Sequence, residues 1–350
     1  MFRRTATAVA LLAVGLAVDL AVGMAVPAQA ATLVPSSPPH ASQPAKYKQL
    51  KSDWPRTISG HTPDRYPEGV AWDPTRQAFL VGSMGQGTVS VVDRTGAVRR
   101  LVSDPQMVST FGLHVDAARG RFLVTYADIG AGERSSPATS YVQSGVGIYE
   151  LSTGRLLHRV DLNTTALNPQ GGKHGANDLA IDRQGNAYVT DPASDAIYRI
   201  TPSGKASVLV RDARLQSDSI GMNGIVWDPA GYLLAVRYDT GKLLRISLQG
   251  TPRIDEVKAK LLVGGDGLAL TRDGKLVAVT NKLGANGVEE VTVLRSSDGY
   301  RSAGVVSSQA WPIAGPTTVA LTPYGGYVLS GRIDVELAGG TSDEFDLRRI

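Results

Sequence analysis

Six segments of the chain share one layout, and one equivalent position of that layout carries residues that could bind a metal ion. Each segment has a short apolar run, a turn built on Asp, Pro, Arg and Gly, and a second apolar run. The equivalent position opens the first run and holds, in chain order, Glu68, Phe111, Asn177, Asn223, Asp266 and Thr317. Five of these six side chains offer oxygen, and none offers sulfur or an imidazole nitrogen.

Oxygen donors of this kind favour a hard divalent cation, provided that the six positions meet. A mixed set of carboxylates and amide carbonyls suits Ca²⁺ best, with Mg²⁺ or Mn²⁺ as alternatives and Zn²⁺ as a less natural one. Without a cation, Glu68 and Asp266 would repel each other, and the pKa of one carboxyl group would rise. We therefore predict a divalent cation site at the repeated position. The alternative is that these polar groups only form hydrogen bonds in a water-filled channel.

The elements that would bring these residues together are β-strands. Each of the first five segments is followed by two further strand-like runs, for example TVSVVD and AVRRLV, which makes four strands per repeat. Positions 68 and 111 are 43 residues apart, as expected for a four-stranded blade. The sequence thus predicts an all-β fold, a six-bladed β-propeller with four-stranded antiparallel blades. The first residues of its innermost strands would form one ring at a mouth of the central channel.

Two departures from the repeat carry structural expectations. Residues 127–144 are rich in Gly, Ser and Ala and interrupt the second blade between its strand pairs, so we expect them to form a face loop or a lid. The sixth blade has only the C-terminal run EFDLRRI after its first hairpin. We therefore expect residues near Trp54 to Ile58 to supply the outer strand of this blade and to close the ring.

The motifs around the repeated position resemble those of the SMP-30/gluconolactonase/LRE-like family of calcium-dependent six-bladed propellers. The resemblance rests on Pro67-Glu68-Gly69, Asn177-Asp178, Asn223-Gly224 and Asp266-Gly267, which occur in the family's order, and it covers roughly residues 60–335. It implies that Glu68, Asn223 and Asp266 are metal ligands and that Asn177 is a ligand or a substrate contact. The related paraoxonase-like branch carries a catalytic histidine where this chain has Phe111, which argues against paraoxonase-like chemistry.

The predicted function is metal-dependent hydrolysis of a lactone or another small ester. A bound Ca²⁺ ion would polarise the substrate carbonyl, Asp266 would act as general base, and Asn177 would orient the substrate. The first alternative is a non-catalytic propeller with a structural metal that binds a ligand or a partner. A strictosidine-synthase-like lyase is a weaker alternative, because such enzymes normally use a catalytic glutamate and no such metal ring.

Further residues are predicted around this site. His174 lies three residues before Asn177 and is interpreted either as a proton shuttle over the pocket or as a solvated surface histidine. His114 stands where the other blades have Ala or Val, so it either reaches the channel or fills space. We predict that Phe111, His114 and Thr317 contact the substrate.

Composition predicts an exported protein with one large domain. Arg3 and Arg4 precede an apolar run that ends near Ala28-Gln29-Ala30, so residues 1–30 are interpreted as a signal peptide, with no stable membrane insertion after its cleavage. Residues 31–52 are interpreted as a disordered Ser/Pro-rich spacer and 53–350 as the propeller. The chain has no cysteine, and its charge of +4 is scattered, which argues against nucleic-acid binding. The expected location is extracellular, and the expected partner is a small-molecule substrate.

Overall fold

Six four-stranded antiparallel sheets make up the part of the protein that the structure describes. A computed structural model describes residues 54–350. The predicted signal peptide and spacer lie outside these residues. Blade 6 takes its outer strand from the beginning of this range, and blades 1 and 2 follow in order. These strands are β1 (Thr57–His61), β2 (Val70–Asp73), β3 (Ala78–Gly82), β4 (Thr88–Val92), β5 (Val98–Ser103), β6 (Ser109–Asp116), β7 (Arg121–Ala127), β8 (Ser144–Glu150) and β9 (Leu156–Asp161).

The other blades repeat this plan. Blade 3 contains β10 (Leu179–Ile181), β11 (Ala187–Thr190), β12 (Ala196–Ile200) and β13 (Ala206–Arg211), and blade 4 contains β14 (Met222–Asp228), β15 (Tyr232–Arg237), β16 (Leu243–Ser247) and β17 (Ile254–Glu256). Blade 5 contains β18 (Gly265–Leu270), β19 (Leu276–Thr280), β20 (Glu290–Arg295) and β21 (Gly304–Ala310), and blade 6 contains β22 (Pro316–Thr322), β23 (Gly325–Ser330), β24 (Glu344–Arg349) and β1. The innermost strands contact one another in a closed cycle, β2–β6–β10–β14–β18–β22–β2. The predicted six-bladed β-propeller is therefore confirmed.

Blade 6 is closed by a strand from the N-terminal side of the domain, as predicted. Strand β1 pairs antiparallel with β24, with Thr57 opposite Arg348 and His61 opposite Glu344. The strand begins three residues later than the predicted range, because Trp54 does not pair but stacks on Tyr324 with ring centroids 4.6 Å apart. The edge that the sixth blade would otherwise expose is thus covered.

The hydrophobic core is divided into layers between adjacent blades. Within residues 54–350, six of the seven clusters of buried apolar residues each join two neighbouring sheets. Strand β7 shows how this arises: Phe122 and Val124 pack towards blade 1, whereas Leu123 between them packs towards blade 3. Alternate side chains of a strand point to opposite faces, so a strand with apolar residues at every position is buried on both. This is why the inner runs of the sequence are wholly apolar.

Two irregular segments lie outside the repeat. The loop 127–144 joins β7 to β8 and is organised around the buried Asp128, which accepts hydrogen bonds from Gly130 N (2.8 Å), Ser135 Oγ (2.8 Å) and Thr139 Oγ1 (2.7 Å). The second segment contains helix α1 (Ile333–Leu337) between β23 and β24. No helix within residues 54–350 is long and apolar enough to cross a membrane.

Candidate metal centre

The six residues at the repeated position line one cavity, which we call the upper cavity. Its volume is about 240 Å³, and its lining includes Glu68, Phe111, Asn177, Asn223, Asp266 and Thr317. Each of them stands just before an innermost strand or within its first three residues. The propeller therefore brings residues separated by as much as 249 positions into one site, as the repeat predicted.

Hydrogen bonds between neighbouring blades hold this ring together. Thr317 donates its hydroxyl to the backbone oxygen of Glu68 at 2.7 Å, which joins blade 6 to blade 1. Thr190 donates to the backbone oxygen of Asn223 at 2.6 Å, which joins blade 3 to blade 4. Thr317 is fully buried, and its hydroxyl is committed to this bond. This hydrogen bond between blades is a structural reason for a polar residue at the sixth position. The sequence also predicts that Thr317 contacts the substrate.

A glycine after the ring residue lets the innermost strands approach closely. A Cβ atom at Gly224 would collide with the backbone oxygen of Asp266 in the next blade, and one at Gly69 would collide with that of Phe111. The Glu-Gly, Asn-Gly and Asp-Gly pairs of the sequence therefore have a packing reason. The second residue makes room so that the first residues of neighbouring blades can converge.

We expect Gly224→Ala to lower the free energy of unfolding by about 1–3 kcal/mol, because the two inner strands must separate to admit the methyl group. Gly304→Ala is the matched control, since a Cβ atom at Gly304 meets nothing within 4 Å. Its effect should stay within about 0.5 kcal/mol. Chemical denaturation measures both. Equal stability of the two variants would contradict the close approach of the strands.

The two carboxyl groups of the ring are buried close to each other. Glu68 and Asp266 are 8% and 5% exposed. Burial, together with the negative charges of Asp266 and Asp178, raises the pKa of Glu68 well above its usual value. Burial also raises the pKa of Asp266 to about 8, although hydrogen bonds from Asn281 and Asn223 act in the opposite direction. Two ionised carboxylates are therefore unfavourable here unless a cation lies between them.

The environment of Asn223 fits a cation site. Its amide group donates towards Asp266, which leaves its oxygen, Oδ1, as the remaining polar atom. This oxygen is buried and has no hydrogen-bond partner. A buried acceptor without a donor is unfavourable, and coordination of a cation would remove that penalty. Glu68, Asp266 and Asn223 thus present acidic and amide oxygens to the same cavity, which is a donor set that suits Ca²⁺.

The site differs from metal centres built on acids, histidines or cysteines alone. Within residues 54–350, no group of three or more His, Cys, Asp or Glu side chains is arranged to hold a metal ion. Any cation in the upper cavity would therefore depend on amide oxygens such as that of Asn223, besides the two carboxylates. Asn177 lines the same cavity and is half-buried, so it is placed to serve either as a ligand or as a substrate contact.

Asp266 is oriented by residues that the sequence did not single out. Asn281 donates from Nδ2 to Asp266 Oδ2 at 2.7 Å and to the backbone oxygen of Pro316 at 2.8 Å. Its own Oδ1 accepts a 2.5 Å hydrogen bond from Tyr238, whose hydroxyl in turn accepts from Gly284 N at 2.8 Å. This chain holds one oxygen of Asp266 in place. Only the position of Asn281 at the end of a repeated strand marked it in the sequence.

A third carboxyl group, that of Asp178, lies beneath the ring. Asp178 lines a small cavity together with Glu68, Asn223 and Asp266, and it also lines a lower cavity of about 300 Å³, but it does not line the upper cavity. Its oxygens accept hydrogen bonds from Leu179 N at 2.8 Å and Ile225 N at 3.1 Å. Burial raises its pKa to about 7. The sequence marked Asp178 only as part of a motif.

The structure does not bring the two predicted histidines to the upper cavity. His174 is 3% exposed, its Nδ1 lies 3.0 Å from Asp191 Oδ2, and it is absent from the residues that line the cavity. It is therefore neither a solvated surface residue nor in place as a proton shuttle for Asp266. His114 lines the lower cavity, where its side chain is exposed. Of the two predicted alternatives, reaching the channel or filling space, the structure shows the first. His114 reaches the channel at the mouth opposite Asp266.

Comparisons with known proteins give one family and several solved structures. The sequence profile of a family described as "SMP-30/Gluconolactonase/LRE-like region" matches residues 66–290. No curated protein sequence gives a significant match. The Mala s 1 allergen of Malassezia sympodialis is similar in structure, with a TM-score of 0.67, 19% identity, and coverage of 84% of this chain and 96% of the allergen.

Two further solved structures carry the gluconolactonase description. A putative gluconolactonase has a TM-score of 0.58 and 16% identity, with coverage of 84% of this chain and 92% of its own. A gluconolactonase from Xanthomonas campestris has a TM-score of 0.56 and 16% identity, with coverage of 82% and 86%. At these identities the similarities show a common fold.

Proposed function

Because the chain belongs to the SMP-30/gluconolactonase/LRE-like family, we propose that this lactonase-type propeller hydrolyses a lactone or another small ester with the help of a divalent cation. Ca²⁺ is the cation we favour, with Mg²⁺ and Mn²⁺ as alternatives. One observation carries the proposal. Glu68 and Asp266 are buried together with the unpaired amide oxygen of Asn223, at the base of a cavity that is large enough for a small molecule.

The residues that would hold the cation are Glu68, Asn223 and Asp266, with Asn177 beside them. When bound, the cation would act as a Lewis acid that polarises the substrate carbonyl and stabilises negative charge on its oxygen. The same charge would keep Glu68 and Asp266 ionised near neutral pH, since an adjacent positive charge lowers the pKa of a carboxyl group. Asp266 would thereby be available as a base at a pH where burial alone keeps it protonated.

Asp266 is the residue that we assign as general base. It accepts a proton from the water molecule that attacks the carbonyl carbon, and the proton passes to the leaving oxygen as the C–O bond breaks, which gives a hydroxy acid from a lactone. Asn281 holds Oδ2 of Asp266 in a fixed direction. Neither His174 nor His114 lines the upper cavity, so neither takes part in this scheme. Asn177 would orient the substrate, and Phe111 would contact it.

A panel of lactones and aryl esters tests this function. The purified protein is assayed with added Ca²⁺ and, in parallel, with excess chelator. We expect hydrolysis that chelator abolishes and that Ca²⁺ restores. Restoration by Mg²⁺ or Mn²⁺ but not by Ca²⁺ would correct the identity of the cation. Hydrolysis that is insensitive to chelator would contradict the mechanism.

The second candidate function is a non-catalytic propeller with a structural metal. The orphaned oxygen of Asn223 is equally consistent with an ion that only joins the blades, and the open cavity is consistent with simple ligand binding. Tight cation binding without turnover of any lactone or ester would favour this function. Export of the protein remains a proposal based on residues 1–30, which lie outside the described residues.

A further inference from the structure

Above the ring, the upper cavity is lined mainly by apolar side chains. The largest of them are Met84, Ile129, Ile220, Leu283, Ile333 and Leu337. The lining contains no Lys, Arg or His, and its only carboxyl groups are those of the ring residues. Three hydroxyl groups also line it, those of Tyr141, Ser219 and Tyr238. The hydroxyl of Tyr238 donates to Asn281, and that of Ser219 accepts a hydrogen bond from Ile220 N. Few free polar groups are therefore left to recognise a polar substrate.

Part of this apolar lining comes from the two segments outside the repeat. Ile129 and Tyr141 come from the loop 127–144, and Ile333 and Leu337 come from helix α1. Phe111, Met84 and Ile333 belong to one buried cluster, against which Ile129 and Leu283 pack while they are partly exposed. The propeller supplies the polar base of the site. Its apolar sides come from the two irregular segments and from loops between the strands of the blades, which contribute Met84, Ile220 and Leu283.

The rim of the cavity leaves apolar surface uncovered. Leu337 is 55% exposed and Tyr141 is 36% exposed, although both line the cavity. Exposed apolar surface next to a concave site is typical of a surface that a ligand covers. A ligand with an apolar group would bury these side chains, while its polar end remained at the ring.

Resting on the proposed hydrolase function, we infer that the substrate is an uncharged lactone or ester that carries an alkyl or aryl substituent, and not a polyhydroxylated sugar lactone. Each sugar hydroxyl that entered the cavity would lose its hydrogen bonds to water and find few replacements among these side chains. An alkyl substituent would instead gain from burial. The cavity volume of about 240 Å³ limits the substituent to a short chain or a single ring.

A homologous series of γ-lactones tests the substrate class. The side chain is lengthened from none to hexyl, and D-glucono-1,5-lactone is the polar comparison. We expect kcat/KM to rise about three- to four-fold for each added methylene until the cavity is filled. The kcat/KM value for the sugar lactone should be roughly 100-fold lower than that for the best alkyl lactone. Equal or better turnover of the sugar lactone, or no dependence on chain length, would overturn the inference.

A pair of matched variants locates the effect in the cavity. Leu337→Asn places a polar group on the apolar rim, where the side chain is exposed enough to tolerate it. Leu321→Asn is the control, because Leu321 is also exposed but lines the lower cavity. We expect Leu337→Asn to reduce the gain in kcat/KM for each added methylene by at least half. We expect Leu321→Asn to leave that gain unchanged. The same change in both variants, or in neither, would contradict the assignment to this cavity.

Binding of ligands that cannot be hydrolysed separates this inference from the proposed function. Cyclopentanones with 2-alkyl substituents keep a ring carbonyl but contain no ester bond, and their affinity for the Ca²⁺-loaded protein is measured by calorimetry. We expect affinity to rise with alkyl length. If affinity rises but no lactone is hydrolysed, the catalytic function fails and the apolar site stands. If lactones are hydrolysed without chain-length dependence in either assay, the catalytic function stands and the inference fails.

Discussion

Replacement of Asp266 by asparagine is expected to lower kcat/KM for lactone hydrolysis by about 10²–10⁴-fold. The substitution keeps the size of the side chain but removes the group that accepts the proton of the attacking water. It also replaces a charged oxygen donor of the proposed cation site with a neutral one, so cation affinity should fall as well. Steady-state kinetics and a calorimetric Ca²⁺ titration measure the two effects separately.

Asp273→Asn is the matched control for this experiment. Asp273 belongs to the same blade, but it lies in the hairpin turn and is 54% exposed, where it pairs with Lys275 and Arg295. Its replacement should leave kcat/KM within about two-fold of the original, as expected for an exposed substitution far from the site. If a folded, cation-loaded Asp266→Asn variant retains full activity, Asp266 is not the general base.

In the absence of a cation, the protein is expected to become less stable as the pH rises from about 4 to about 8. Glu68 and Asp266 have usual values of 4.5 and 3.8, and both pKa values are raised in the folded protein, that of Asp266 to about 8. Asp178 adds to the effect, since burial raises its pKa to about 7. Above about pH 5 the unfolded chain has lost these protons, whereas the folded protein still holds them. The folded state binds more protons, so the free energy of unfolding falls with rising pH until the folded groups also ionise.

The effect of Ca²⁺ on stability should therefore depend on pH. At pH 8 a bound Ca²⁺ ion would take the place of the protons on the buried carboxyl groups. A Ca²⁺ concentration 1,000-fold above its Kd should then raise Tm by roughly 10 °C. At pH 5 protons compete for the same carboxyl groups, so the same concentration should give a much smaller rise. Glu68→Gln is the control, because it removes one of the three buried carboxyl groups and should reduce the pH dependence of the chelated protein. An equal rise at both pH values would show that Ca²⁺ binds elsewhere.

Much of the fold could be predicted from the sequence because each blade repeats the same local information. The turn residues and apolar runs specify a hairpin, and a hairpin of this kind recurs six times. Even the closing strand was predictable, because the sixth repeat lacked residues for its last strand. Its bounds were not, since the choice between Trp54 and Thr57 as the first paired residue depends on the stacking of Trp54 on Tyr324.

The ring could be predicted for the same reason, whereas the residues around it could not. His174 is only three residues from Asn177, but its environment is set by Asp191 and Tyr198 in another part of blade 3. Asn281 and Tyr238 come from different blades and meet only in the folded protein. Contacts of this kind depend on which side chains face each other across blades, and no local pattern encodes that.

The sequence by itself determined the number of blades, the order of the strands and the set of oxygen-bearing residues at the start of the innermost strands. Rotational symmetry turns equivalent positions of a repeat into neighbours, so a one-dimensional pattern was enough. Only the tertiary structure decided which mouth each residue faces, which histidines stay away from Asp266, and how apolar the upper cavity is. The placement of the histidines depends on contacts within and between blades, which the order of residues does not specify. The apolar lining depends in part on the loop 127–144 and helix α1, which have no counterpart in the repeat and acquire their positions only by packing against it.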